Sequence, residues 1–348
     1  MSITSLCARY RRRVTCVITL AASAFAASPL QAQDGNAGVQ ELRLSTALAP
    51  TYPLGRAGQR WAQLVNERAG GTFEVRQYPG ATLSERDPGR EFGALKSGLA
   101  ELAVGSALAW SGQFAPVGVY AIPWLTGSAR EQEALAADAP LRENVFAQMA
   151  TAGVIGLAVA PLGEHVLATT RAPIETPADL KGLRVRVVSL RSLIEVYVAL
   201  GALPQSMNFA QAQAALAAGT LAGQDALPTT LVATRASASG MKFITRWGAF
   251  ADVMVFAVRK ASWDTWPEER RVLVRDAAER AAREANALAL EEAALAQLTK
   301  DGVTILRLSP AQRNAMRDAA QPAIAAWTGL VGAELAGAAQ AVVAATRK

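Results

Sequence analysis

The stretch TPADLKGLRVRVVSLRSLIEVYVALGALPQSMNFAQAQAALAAGTLAGQD, from Thr176 to Asp225, decides the fold. Leu183 to Val188 alternates like a strand, and Arg191 to Leu200 has helical spacing and closes at Gly201. Leu203 to Met207 reads as a second strand, Phe209 to Ala218 as a second helix closed by Gly219, and Leu221 to Asp225 as a third strand. The same order stands earlier. Glu41 to Thr46 is a strand, Leu54 to Ala69 a helix stopped at Gly70-Gly71, and Thr72 to Tyr78 a strand broken by Pro79-Gly80. Arg90 to Ser97 is a short helix ending at Gly98, and Leu99 to Val104 a third strand. The joints even match in composition: Leu95-Lys96-Ser97-Gly98 and Leu216-Ala217-Ala218-Gly219. This order predicts α/β sheets with crossover helices. Two such units predict two lobes with a cleft between them, and open α/β sheets take ligands beyond the carboxyl ends of their strands.

The remainder is helical. Pro267 to Lys300 reads as one amphipathic helix with Gly302 as its stop, about 50 Å at the usual rise and long enough to cross both lobes. Pro310 opens a last alanine-rich helical region towards Ala345, interrupted at Pro322 and Gly329. Most of both runs is expected to clad the sheets.

The N-terminus reads differently. Arg9, Arg11, Arg12 and Arg13 precede an uncharged apolar run from Val14 to Ala27, and Leu30-Gln31-Ala32 ends it on small residues. That is the pattern of a secretory signal peptide over residues 1–32, cut before Gln33. The run is shorter than the roughly 20 residues of a comfortable span. Four of the 35 basic residues and none of the 29 acidic ones lie in this leader, which leaves 31 against 29, a net charge of +2. A nucleic-acid partner thereby loses its main support. Both cysteines, Cys7 and Cys16, also lie in the leader, so thiol chemistry and disulfides are not expected. These features predict a periplasmic protein.

Catalytic signatures are scarce. One histidine, His165, excludes multi-histidine metal sites and leaves any triad dependent on it alone. There is no G-x-S-x-G elbow, no P-loop and no G-x-G-x-x-G, and Glu164-His165 lacks the spacing of a helical zinc motif. No metal and no cofactor is expected. An enzyme built on carboxylates brought together by folding stays open.

Arg186 is the candidate that carries chemistry. In Leu183-Arg184-Val185-Arg186-Val187-Val188 the side chains alternate, so both arginines share one face. Arg184 lies nearer the strand start and is expected in solvent. Arg186 lies nearer the carboxyl edge, where the cleft is expected. A guanidinium there offers a fixed fork that fits a carboxylate. Its other reading is an arginine paired with an acid of its own fold.

The chain resembles the extracytoplasmic solute-binding proteins of TRAP (tripartite ATP-independent periplasmic) transporters, the DctP type. Their pattern T-P-x-D-L-K-G-L-x-x-R-V is matched by Thr176 to Leu183 with Arg186-Val187. It continues in Ala199-Leu200-Gly201-Ala202, Met207 with Phe209, Ala215-Leu216 with Gly219, and Gly223-Gln224-Asp225. Leu42 to Val65, Ala103 to Leu125 and Lys260 to Ala278 also look like the family, so the likeness covers nearly the whole chain beyond the leader. The resemblance implies a two-lobed periplasmic binding protein fold, type II-like, with a long helix bridging the lobes. Lobe I would take residues 33–163 and 252–291, and lobe II residues 164–251 and 292–345. It implies that Arg186 pairs with a ligand carboxylate, that Phe209 packs on the ligand and that Ser189 faces the site. It adds the walls Gly105 to Trp110, Trp247 to Asp252 and Ala47 to Tyr52. The expected ligand-binding set is therefore Arg186, Phe209, Ser189, His165, Trp247, Asp252, Trp110, Tyr52 and Gln224. Phe209, on a first helical turn, has a core role as its other reading.

Three departures bear on the ligand. Ala226 stands where many members carry an asparagine, His165 stands where a second basic group, often arginine, is common, and Leu83 to Arg90 does not align with the family's acidic loop. Loss of the asparagine points to a smaller or less hydroxylated ligand. His165 donates to an anion if protonated, or else is a hydrogen-bonded histidine at the lobe boundary. The implied function is periplasmic capture of a small organic acid by a monomer and its delivery to TRAP membrane permease subunits. A sensor of the same fold and an enzyme acting on a carboxylate are the alternatives.

Overall fold

Two long strands that the sequence reading does not assign organise the sheet. The computed structural model describes residues 39–347, without the side chains of residues 209 and 210. The expected leader, residues 1–32, lies outside the described residues. Among those residues nine strands form one sheet: β1 (Gln40–Thr46), β2 (Phe73–Pro79), β3 (Leu102–Ser106), β4 (Val154–Thr169), β5 (Arg184–Val187), β6 (Leu203–Ser206), β7 (Gly223–Ala226), β8 (Phe243–Arg259) and β9 (Thr304–Arg307). The order is β2-β1-β3-β8-β4-β7-β5-β6, with β9 also paired to β8.

Each end of this sheet is the strand-helix unit seen in the sequence. β1 pairs in parallel with β2 and β3, and β5 in parallel with β6 and β7, so both ends have the strand order second-first-third. The crossover helices fall where expected, at Pro53–Asn66, Glu91–Ser97, Arg191–Ala199 and Phe209–Ala217. Asn208 caps the last of these, its side chain accepting from the Gln211 amide at 2.9 Å while Gln211 accepts from the Asn208 amide at 3.2 Å.

β4 and β8 run antiparallel along one another and join the two ends. β3 pairs with Met254–Val258 of β8, whereas β7 pairs with Val166–Thr169 of β4. Residues 163–165 and 250–252 therefore carry the sheet from one end to the other. Register shifts fall between Pro161 and Gly163 and between His165 and Leu167, at this passage. Bulges of this kind re-aim side chains next to functional sites.

The helices close over both faces. Trp61 is fully buried, meets Phe256 edge-on at 5.5 Å and donates its indole N–H to the Val274 carbonyl at 3.0 Å. The helix expected over Pro267–Lys300 is two helices, Glu268–Glu284 and Ala287–Lys300, separated at Asn286, whose φ is 46°. Asparagine tolerates the left-handed region better than other residues with a Cβ. No proline or glycine marks the break, so an alanine-rich run reads as continuous. The tail matches at Pro322, within the first turn of Gln321–Val331. It breaks at Gly332 rather than Gly329. Among the described residues no single helix is long and apolar enough to cross a membrane.

Gly105 shows how tightly β3 meets the residues after it. A Cβ there would lie 2.0–2.2 Å from atoms of the buried Trp110 indole. Gly105→Ala is expected to cost about 1–3 kcal/mol through overpacking. Thermal unfolding checks this, and an unchanged midpoint would mean that Trp110 shifts without cost.

Candidate functional site

β5 places its residues as the alternation requires: Arg184 is exposed, Val185 and Val187 are buried, and Arg186 is only 5% exposed. The Arg186 side chain donates from Nε to the Met207 carbonyl at 3.0 Å and from Nη1 to the Asp225 carbonyl at 3.4 Å. Burial pulls its pKa down to about 10, with the Asp225 carboxylate opposing. Arg186 stands in register with Gln224 on β7, so the two side chains share a face of the sheet. Gln224 is fully buried, and neither its amide oxygen nor its amide nitrogen has a hydrogen-bond partner in the protein. A buried, unsatisfied amide is costly, and it suits a ligand or a water beside the guanidinium.

Asp225, the next residue, serves the opposite direction. One carboxylate oxygen lies 2.6 Å from His165 Nδ1 and the other accepts from the Tyr197 hydroxyl at 2.7 Å. All three side chains are buried. Burial opposes a charge on His165. The Asp225 carboxylate, through charge and hydrogen bond, and Asp252 outweigh it, so the imidazole pKa is raised despite Arg186 nearby. Tyr197 is pushed well above the usual phenol range, by burial first and then by Asp225.

Asp252 lies at the passage between the two ends, in register with Gly163. Its carboxylate accepts from the Ser106 hydroxyl, from the Leu108 amide at 3.0 Å and from the Val253 amide at 2.8 Å. Burial raises its pKa, against His165 and these donors. Asp252 thus ties β8 to the short helix Ala107–Trp110 that follows β3.

Of the residues expected from sequence, Arg186 and Gln224 share one face of the sheet, and Arg186 and His165 both bond Asp225, the first at its carbonyl and the second at its carboxylate, with Asp252 acting on His165 through its charge. Trp247 is fully buried in an aromatic group, 5.3 Å from Tyr197, 5.7 Å from Trp124 and 5.9 Å from Phe250. Trp110 is buried edge-on to Phe92 at 5.7 Å. Tyr52 is half-buried ahead of Pro53–Asn66, and Ser189 is exposed just past β5. Phe209 opens its helix, and its side chain lies outside the described residues.

Sequence reasoning passed over Asp225, Tyr197 and Glu91. Asp225 stands in the Gly223-Gln224-Asp225 motif, which was the available signal; nothing local marks the other two. Glu91 is fully buried, with one oxygen accepting from Ser45 at 2.7 Å. Burial pushes its carboxyl up to about 8, against Ser45 and the Trp110 indole. The folded pKa lies above the unfolded one. The folded protein thus holds more protons than the unfolded chain in between, and stability falls as pH rises from about 4.5 to 8. Glu91→Gln is expected to remove this dependence and to be more stable than the parent by about 1–3 kcal/mol at the top of that range. Urea unfolding across the range checks it, and a parallel pH slope in the variant would refute it.

Cavities occur elsewhere. One of about 490 Å3 lies among Ala158, Pro161, Arg142, Arg283 and Asn286. Of the two arginines, on the helices Ala139–Thr151 and Glu268–Glu284, Arg142 is half-buried and Arg283 exposed, and the cavity includes none of the site residues above. Among the described residues no group of three or more His, Cys, Asp or Glu side chains is placed to hold a metal ion.

Known proteins match this arrangement over most of its length. The family model for bacterial extracellular solute-binding protein, family 7 (DctP), covers residues 44–329. A TRAP periplasmic solute-binding protein of Ralstonia eutropha H16, solved with bound (S)-2-acetolactate, is 33% identical. The match covers 87% of this chain and 98% of that one with a TM-score of 0.82. The C4-dicarboxylate-binding periplasmic protein DctP of Rhodobacter capsulatus is 25% identical over 314 residues, 87% of this chain and 91% of that protein. The sugar acid binding protein of Advenella mimigardefordensis, in complex with galactonate, shares the fold at 21% identity, 88% and 99% coverage and a TM-score of 0.76. With the paired three-strand units, the bulged passage between them and the buried strand arginine all in place, the chain belongs to the DctP family of bacterial extracellular solute-binding proteins, the solute-binding proteins of TRAP transporters.

Proposed function

We propose that this chain captures a small organic carboxylate between two lobes in the periplasm, as a monomer, and hands it unchanged to the membrane permease of a TRAP transporter. The observation that carries this reading is Arg186: a guanidinium 5% exposed, on a strand of a family-7 protein, in register with the unsatisfied Gln224. A carboxylate beside it would offset the burial that lowers its pKa and would give the Gln224 amide a partner.

The two ends of the sheet correspond to the lobes, residues 33–163 with 252–291 and residues 164–251 with 292–345. Two of the three changes of lobe, at 163/164 and 251/252, then fall at the bulged passage of β4 and β8, and the third, at 291/292, falls within the helix Ala287–Lys300. Closure around a ligand at such a passage needs contacts from both lobes. We assign Arg186, Gln224, His165, Phe209 and Ser189 to one wall, and Trp110, Tyr52 and Asp252 to the other, with Trp247 supporting the first from within. Ala226 brings no polar group, which favours a small ligand. The relative at 33% identity holds a short branched 2-hydroxy-3-oxo acid, and a short hydroxy or oxo acid is our choice of ligand. The leader of residues 1–32 would direct export.

Native mass spectrometry of the purified protein tests this, with titration calorimetry against (S)-2-acetolactate, succinate and galactonate. One acid per monomer is expected, with the short branched acid bound most tightly. A protein that neither carries nor takes up an acid would overturn the reading.

A further inference from the structure

His165 is the only histidine of the chain. It sits where the sheet passes from one end to the other, 7% exposed, with Nδ1 at 2.6 Å from Asp225. Asp225 is 1% exposed and is held on three sides: its carboxylate by His165 and by the Tyr197 hydroxyl at 2.7 Å, its carbonyl by Arg186 Nη1 at 3.4 Å. A buried carboxylate bonded in this way fixes both the orientation and the charge of its imidazole partner.

We propose that Asp225 is a positioning residue that holds His165 as a second cation beside Arg186, so that ligand capture is linked to proton uptake. This rests on the carboxylate reading above and adds to it a second group, one that titrates. The charged groups that act on His165 are Asp225 on β7, in direct contact, and Asp252 on β8 and Arg186 on β5 through their charge, with Tyr197 of the helix Arg191–Ala199 reaching it through Asp225. Two carboxylates against one guanidinium favour the imidazolium, and the direction of the imidazole pKa, above its ordinary 6.5, agrees. An arginine in this place would be charged at every physiological pH. The histidine makes affinity depend on acidity, and it favours ligands with a second acceptor, such as a 2-hydroxy or 2-oxo group, beside the carboxylate.

The test uses the tag-free protein without ligand, because its one histidine gives an unambiguous imidazole signal in proton–carbon NMR. The expected titration midpoint lies above 6.5 in the parent. It is expected to fall in Asp225→Asn and to recover in Asp225→Glu. A parent midpoint at or below 6.5 overturns the proposal, whether or not the variants fold. Calorimetry with (S)-2-acetolactate between about pH 5.5 and 8.5 is the second arm. Affinity is expected to weaken above the His165 midpoint by up to about tenfold per pH unit, and to be flat in His165→Gln. Binding by the parent that is flat across this range also overturns the proposal. Failure to take up the probe at any pH counts against the choice of ligand, and the histidine titration still decides the role of Asp225.

Discussion

Arg186→Ala is expected to abolish carboxylate binding while leaving the protein folded. The guanidinium is 5% exposed, and two protein carbonyls, of Met207 and Asp225, fix the plane of its fork. A ligand carboxylate meeting that fork would gain about 1.5–3 kcal/mol for each charge-assisted hydrogen bond. Two such bonds are a good part of the roughly 8 kcal/mol of micromolar binding. Their removal is expected to weaken affinity by about 100-fold or more. Arg186→Lys keeps a charge but not the planar fork, and is expected to fall between the two. The fold should survive, because the alanine also removes a desolvated cation and the flanking Val185 and Val187 stay in the core. Calorimetry and circular dichroism on the same samples check both halves. Undiminished affinity in Arg186→Ala would sink the assignment of the site.

Arg246→Ala is expected to be the most damaging single change to stability. The Arg246 guanidinium, on β8, lies 3.1 Å from Glu164, 3.3 Å from Glu291 and 3.2 Å from Glu292. Glu164 and Glu291 are buried. Each also holds backbone at the bulge: Glu291 accepts from the Glu164 amide at 2.7 Å, and Glu164 accepts from the Gly248 amide at 2.9 Å. Gly163, with φ of 134°, permits this approach, since a Cβ there would lie 2.3 Å from a Glu291 oxygen. Loss of the cation leaves two buried carboxylates facing each other, at a cost of about 3–5 kcal/mol.

The pH dependence follows from Glu291, whose carboxyl burial pushes up to about 7. Its folded pKa is above the unfolded one, so its ionisation penalises the folded state as pH rises from about 4.5 through 7. Without Arg246 that pKa rises further and the penalty grows. The defect should therefore be largest above pH 7 and shrink towards pH 4.5, as the folded carboxyl becomes protonated. Urea unfolding at the two ends of this range is the measurement. A loss under about 1 kcal/mol at the alkaline end, or a larger loss at the acid end, would show that the cluster is not coupled as its geometry requires.

The local units were legible because their signals are local. Alternation in residues 41–46 and 183–188, helical spacing after each, and glycine stops at Gly98 and Gly219 define short elements. Both glycines take positive φ, 82° and 69°. Arg186 was legible for the same reason: alternation alone puts it on the face opposite Val185 and Val187. The long strands were not. β4 and β8 are apolar on both faces through much of their length, so they carry neither the period of two nor that of a helix, and flanking strands cover both their edges. The break at Asn286 was illegible because a single left-handed residue leaves no mark in an alanine-rich run.

The sequence by itself determined the two strand-helix units, the strand that carries Arg186 and the family to which the chain belongs. The tertiary structure alone decided what surrounds that arginine. Asp225 reaches His165 across 60 residues, Tyr197 across 28, and Arg246 reaches Glu291 across 45. Register and periodicity act over a few residues, whereas the burial that sets these charges comes only when β4 and β8 bring distant strands side by side.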